Sequence, residues 1–253
     1  MAKKKRGSEK SQRKLLMVGP DAPFQYVEAY KSLRTNLEFL SASTGCKVIL
    51  ITSSVQEEGK SNVAVNLAST MASGGKRVVL VDSDLRKGSL SRYLHLSHNR
   101  PGISNIVAGQ ATLNDALVRF KNVQFTLLPV GPLPPNPSEM LSLPAVEQMF
   151  DTLREYYDYI IVDTPPVSVV TDAAVMCRMV DGVVLVVRSG VTTIQGAQLS
   201  KKKLEAVGAR ILGVVLNGYD ARRIGRRDGY SYAYSYNYYA GDDQSEDKKA
   251  TLS

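Results

Sequence analysis

The strongest constraint on this chain is one stretch, Ser54-Val55-Gln56-Glu57-Glu58-Gly59-Lys60-Ser61, set between the apolar run Val48 to Ile51 and a helical pattern from Asn62 to Ser73. A buried strand that turns into a helix through Gly-Lys-Ser presents successive backbone N–H groups and a helix N-terminus together, which is a surface for phosphate. The phosphate-loop pattern is G-x-x-x-x-G-K-[ST]. Ser54 stands where its first glycine would be, and Gly59, Lys60 and Ser61 match. In such a loop Lys60 reaches the outer phosphates, and the Ser61 hydroxyl ligates the Mg²⁺ that a nucleotide brings. A plain strand-to-helix turn containing Gly-Lys-Ser is the alternative reading of the stretch alone.

The surrounding pattern supplies the fold class. Six short runs rich in Val, Ile and Leu recur at Lys47 to Ser53, Arg77 to Asp82, Gln124 to Pro129, Asp158 to Asp163, Gly182 to Arg188 and Ile211 to Asn217. Most are continuous rather than alternating, as strands covered on both faces are. Helical stretches lie between them at Ser61 to Ser73, closed by Gly74-Gly75, and at Ala145 to Tyr157 and Thr192 to Val207. The expectation is an α/β doubly wound, mostly parallel sheet with helices on both faces and functional residues at the carboxyl ends of its strands. Ahead of it, Gln25 to Leu40 carries Val27, Tyr30, Leu33, Leu37 and Leu40 on one helical stripe, and Glu28, Lys31 and Arg34 elsewhere. The Pro-rich loop from Pro129 to Pro137 leads into a helix start at Ser138.

Charge is unevenly placed. Of the net +8 in 253 residues, about +6 lies in residues 1–14, where seven Lys and Arg side chains face one Glu. That arm suits anionic lipid headgroups or non-specific nucleic acid, or is simply solvated. No apolar run is long enough for a membrane span and no signal-peptide core is present, so a cytoplasmic protein is expected. Cys46 and Cys177 have no metal-ligand spacing and read as core residues. The expected division is a basic arm and linker over 1–24, a catalytic domain over 25–224, and a tail over 225–253. Positions 230–239 of that tail read YSYAYSYNYY and hold six of the thirteen tyrosines.

Two strands end in carboxylates: Val79-Leu80-Val81 runs into Asp82-Ser83-Asp84-Leu85-Arg86, and Ile160-Ile161-Val162 into Asp163-Thr164-Pro165. Parallel neighbours finish at one edge, so Asp82, Asp84 and Asp163 should converge on the Gly59–Ser61 loop. That set suits metal-assisted phosphoryl transfer, with carboxylates around the cation and an acceptor for the attacking hydroxyl's proton.

The three motifs together resemble the Walker A, A′ and B motifs of the bacterial tyrosine kinases of exopolysaccharide and capsule synthesis, from about Glu28 to the tyrosine tail. The resemblance implies ATP and Mg²⁺ as cofactors, with Lys60, Asp82, Asp84, Arg86 and Asp163 as catalytic residues. It implies nucleotide contacts from Ser54, Gln56, Glu57, Glu58, Gly59, Lys60, Ser61, Asn62 and, at the adenine, Asn217, and metal contacts from Ser61, Asp82, Asp84 and Asp163. Asp82 is the group implied to accept or orient the tyrosine proton. Tyr230, Tyr232, Tyr234, Tyr236, Tyr238 and Tyr239 are the implied phosphoacceptors, reached in trans. Glu28, Lys31 and Arg34 resemble the family's E-x-x-R-x-x-R oligomerisation helix, with Lys31 at the first Arg position. The family assembles as a homo-oligomeric ring that loosens on phosphorylation. Full modification of six tyrosines adds roughly 9–12 negative charges, more than the whole chain's net charge. A separate transmembrane activator of the polysaccharide co-polymerase type, recruitment to the inner face of the membrane, a cognate phosphotyrosine phosphatase and no specific nucleic-acid partner are also implied.

Two other classes compete. Switch ATPases of partitioning and division-site placement share such a sheet but carry a second Lys early in the loop, where this chain has Val55. A nucleotide-sensing assembly module without catalysis would keep every binding motif, but would not need phosphorylatable hydroxyls beside the site. The alternating part of the tail, 230–236, also fits an edge strand or a sticky aromatic tract.

Overall fold

The computed structural model describes residues 16–97 and 100–219. Residues 1–15 of the basic arm and the whole tyrosine cluster lie outside the described residues. Contacts divide the chain after Asn217 into two compact units, and the helices and strands of the described residues belong to the first. Its elements in order are α1 (Phe24–Thr44), β1 (Val48–Ser53), α2 (Lys60–Ser73), β2 (Val78–Asp82), α3 (Ser89–Tyr93), α4 (Ile103–Val107), α5 (Leu113–Ala116) and β3 (Val118–Arg119). Then follow β4 (Thr126–Leu128), α6 (Pro137–Leu141), α7 (Pro144–Tyr156), β5 (Tyr159–Asp163), α8 (Asp172–Met176), β6 (Gly182–Arg188), α9 (Ile194–Ala206) and β7 (Ile211–Asn217).

The strands form one sheet in the order β3-β4-β2-β5-β1-β6-β7. All neighbours are parallel except β3 and β4. The two residues of β3 are too few to leave a period in the sequence, so this antiparallel edge was not foreseen. β1, β2 and β5 are buried along their whole length. One core packs Leu50, Val81, Ile160 and Val162 against Phe150, Leu153 and Leu204. The other packs Ile49, Ile51, Leu80 and Ile161 against Leu37, Leu67 and Met71. Side chains of each strand thus feed both cores, the reason these runs are continuously apolar. β7 departs from the expectation: Val214 is 60% and Leu216 53% exposed. It is an edge strand, and its apolar run is covered only in part.

Helix limits follow local chemistry. α1 runs one turn past the predicted Leu40 because its stop is Gly45, left-handed at φ 69°, whose N–H returns to Ser41 O at 2.8 Å. α7 starts at Pro144, whose missing N–H costs nothing at a first helical position. α9 starts two residues after the predicted Thr192 because Thr193 is its cap, accepting the Gly196 N–H at 3.0 Å. The short helices α3, α4, α5 and α8 were missed; at four or five residues they carry no measurable period. Cys46 and Cys177 are buried and unpaired, and burial pushes each thiol up to about 11.

Candidate active site

β1 lies between β5 and β6, and β2 lies on the far side of β5. Asp82 pairs in register with Asp163, and Asp163 with Ile51. The ends of β2, β5 and β1 therefore bring the two acidic segments beside the loop that leaves β1, as the parallel arrangement required. The loop turns at Gly59, with φ 92°, and α2 begins at Lys60. A Cβ at position 59 would fall on Asn217 Nδ2, so glycine is needed there for its backbone angle and for space alike.

A cavity of about 450 Å³ opens over this edge, lined among others by Gly59, Lys60, Ser61, Asp84, Arg86 and Asn217. Lys60 Nζ donates to Ser61 Oγ at 3.2 Å and lies 3.9 Å from Asp84 Oδ2 and 4.0 Å from Asp163 Oδ1. Burial alone would depress the Lys60 ammonium, but the carboxylates of Asp163, Asp84 and Asp82 outweigh it and hold the pKa above the usual lysine value.

The three aspartates occupy different places. Asp82 is wholly buried and off the cavity wall; Oδ1 accepts the Asp84 N–H at 3.2 Å and Oδ2 the Leu90 N–H at 3.0 Å. Burial, then the negative charge of Asp163 and Asp84, raises its pKa well above the carboxylate range, against those two N–H donors. Asp163 is equally buried and is raised by burial, an effect the Lys60 ammonium and the Ser61 hydroxyl temper without cancelling. Asp84 reaches the cavity. Its Oδ1 and both oxygens of Asp163 are buried without a hydrogen bond, as are the hydroxyls of Ser54 and Ser83. Unfilled carboxylate acceptors close to the Ser61 hydroxyl suit a hydrated divalent cation. Among the described residues no three acidic, His or Cys side chains form a group that could hold a metal by themselves.

Of the remaining loop residues, Gln56 and Glu57 line the cavity and Glu58 does not. Asn62 also lines it, but its Oδ1 accepts from Tyr26 and Tyr30 at 2.8 and 3.2 Å, anchoring α1 to α2. Asn217 donates Nδ2 to Glu58 O at 2.8 Å. Arg86 lines the cavity while its guanidinium grips the buried Asp172 through Nε at 2.9 Å and Nη2 at 2.8 Å; Ser138 Oγ donates to Asp172 at 2.6 Å. Neither Asp172 nor the partnership of Ser138 with Arg86 is legible in the sequence: they stand 86 and 52 residues from Arg86, and no local spacing links them. Arg188, Lys87 and Tyr93 line the cavity too and were likewise missed. On α1, Lys31 pairs with Glu28 at 2.7 Å on the surface, whereas Arg34 turns inward to donate to Thr70 O at 3.1 Å. The six tail tyrosines lie outside the described residues.

A phosphate loop opening into α2, with carboxylates at the ends of β2 and β5, defines a P-loop nucleotide-binding domain on a mostly parallel sheet. A family model described as an AAA domain matches residues 46–211. The tyrosine-protein kinase YwqD of Bacillus subtilis is 34% identical over 230 residues, which cover 91% of this chain and 94% of YwqD. The tyrosine-protein kinase etk of Escherichia coli is 38% identical over 210 residues, 83% of this chain but only 28% of etk. The solved kinase domain of that E. coli enzyme superposes with a TM-score of 0.74 at 36% identity, covering 81% of this chain and 78% of the solved one. The chain belongs to the bacterial tyrosine-protein kinases.

Proposed function

We propose that this chain is an ATP-dependent protein-tyrosine autokinase that phosphorylates the tyrosine cluster of a neighbouring copy and thereby regulates exopolysaccharide or capsule synthesis and export. The observation that carries the reading is the Lys60 ammonium, within 4.0 Å of both Asp84 and Asp163 and 3.2 Å from the Ser61 hydroxyl at the start of α2. Family membership and the tyrosines at 230–239 support it. Against a switch ATPase stands Val55, an apolar side chain 41% exposed where that class carries its second Lys.

ATP phosphates would lie on the N–H groups from Gln56 to Ser61 with Lys60 on the outer ones, and Asn217 at the base. Ser61, with Asp84 and Asp163 directly or through water, would hold Mg²⁺, which neutralises charge building on the phosphates. The tyrosine oxygen forms the new bond to the γ-phosphorus as the bond to the β–γ bridging oxygen breaks, releasing ADP. The phenol proton passes to a carboxylate. Asp84 stands on the cavity wall for this, whereas Asp82 is fully buried behind it and would act on the phenol from within. Arg86 would act through Asp172, fixing the wall the acceptor approaches.

The domain division proposed is an arm to residue 24, a kinase domain to 224 and a tail from 225. Glu28, Lys31 and Arg34 would dock the next subunit of a ring that loosens on phosphorylation. A separate transmembrane activator would recruit the chain to the inner face of the membrane, and a phosphotyrosine phosphatase would reverse the reaction. Among the described residues no helix is long and apolar enough to cross a membrane. The test is incubation with ATP and Mg²⁺ beside a fused activator segment, followed by mass spectrometry of residues 230–239. Phosphate on those tyrosines in the wild type and none in Lys60→Met is expected; equal labelling of the variant overturns the site.

A further inference from the structure

We propose that Glu58 and Thr192 are positioning residues for the nucleotide phosphates: a partly buried strut from the turn after β6 that holds the phosphate loop in its binding shape. Glu58 is the loop's odd member, a carboxylate where the bound ligand is an anion. It is fully buried and does not face the cavity, unlike its neighbours Glu57 and Gly59. Its Oε2 accepts the Val55 N–H at 2.9 Å, closing the loop on itself, and its Oε1 accepts the Thr192 hydroxyl. Buried and off the cavity wall, Glu58 is placed neither as a metal ligand nor as a proton acceptor for substrate.

Thr192 is fixed in turn. Its Oγ1 accepts the Arg188 N–H at 2.7 Å while its proton goes to Glu58. The same turn holds the loop from outside, because Arg188 Nη1 donates to Glu57 O at 3.0 Å. Glu57 has φ 66°, a left-handed conformation unusual for a residue with a side chain. Such a backbone persists where its surroundings over-determine it, and here the carbonyl of Glu57 and the side chain of Glu58 are each tied to residues more than 130 positions away. Left-handed Glu57 and Gly59 flank the held residue, so the direction of the N–H groups that would meet the phosphates depends on the strut.

This rests on nucleotide binding at the loop, and the experiment separates the two. MgADP binding is measured by calorimetry for the full chain and for Thr192→Val, Thr192→Ser, Glu58→Ala and the Glu58→Ala/Thr192→Val pair, with melting temperatures taken without nucleotide. Thr192→Val should weaken binding about tenfold, equivalent to ~1.4 kcal/mol, through a raised KM for ATP with little change in kcat. Thr192→Ser, which keeps the hydroxyl, should recover the loss. In the Glu58→Ala background Thr192→Val should cost much less than it does alone, the remainder being the Arg188 N–H left without its acceptor. Wild-type affinity in Thr192→Val, failure of Ser to recover it, or additive losses in the pair would each overturn the proposal. A wild type that binds no MgADP overturns the nucleotide reading together with it.

Discussion

Replacing Lys60 by Met removes the ammonium that faces Asp84 at 3.9 Å and Asp163 at 4.0 Å. At an effective dielectric of ~20 each contact is worth roughly 4 kcal/mol before desolvation. The burial of Lys60 offsets much of that, yet its pKa is raised, so the attraction wins. Breaking a buried pair by losing one partner costs roughly 3–5 kcal/mol, and because the carboxylates can take up a proton instead, ~3 kcal/mol is expected. For a domain of this size that lowers Tm by about 6–12 °C at pH 7.5. The pH dependence has a definite sign. An unfolded Asp titrates near 4, and native Asp163 and Asp82 titrate above it. Between those values the native state holds protons the unfolded chain has lost, so stability falls as pH rises. Without the ammonium the native Asp163 value climbs further and the fall extends to higher pH. The Tm gap between wild type and variant should therefore be widest near neutrality and close toward pH 4. Lys60 itself adds nothing in that window, since its own contribution is lost only as pH passes its raised native value. Circular dichroism melts without nucleotide or Mg²⁺ measure both; equal Tm at pH 7.5, or a gap that widens with acid, refutes the reasoning.

Three further outcomes are expected. Arg86→Lys keeps the charge but cannot span both Asp172 oxygens, so it should lose about 1–3 kcal/mol in urea unfolding, and Arg86→Ala more, because Asp172 is fully buried. Gly59→Ala should abolish MgADP binding in calorimetry, and a second change, Asn217→Ala, should not restore it, because space is returned but φ 92° is not relieved. Arg34→Ala should destabilise the isolated chain by about 1 kcal/mol in urea titration through its lost bond to Thr70 O near the end of α2, and light scattering of the unphosphorylated protein should show a lower mass.

What the sequence determined by itself is what depends on near neighbours in the chain. Runs such as Val48–Ser53 and Tyr159–Asp163 are apolar throughout, which specifies strands buried on both faces and hence a parallel sheet with helices on each side. Gly59-Lys60-Ser61 between a strand and a helix points to a phosphate loop because the residues that mark it are adjacent in the chain, although the shape of the loop before Gly59 leans on distant partners. That Asp82 and Asp163 meet followed from the rule that parallel strands end together. Tertiary structure alone decided how these carboxylates differ. Asp82 is capped by two N–H groups and Asp84 opens to the cavity, although they are two residues apart in one motif. Only the folded chain reveals that Arg86 is held by Asp172 and Ser138, that Glu58 braces the loop through Thr192, and that Arg34 faces Thr70. Those partners are brought together by the order of strands and helices, and pairing at such separations leaves no spacing in the sequence to read.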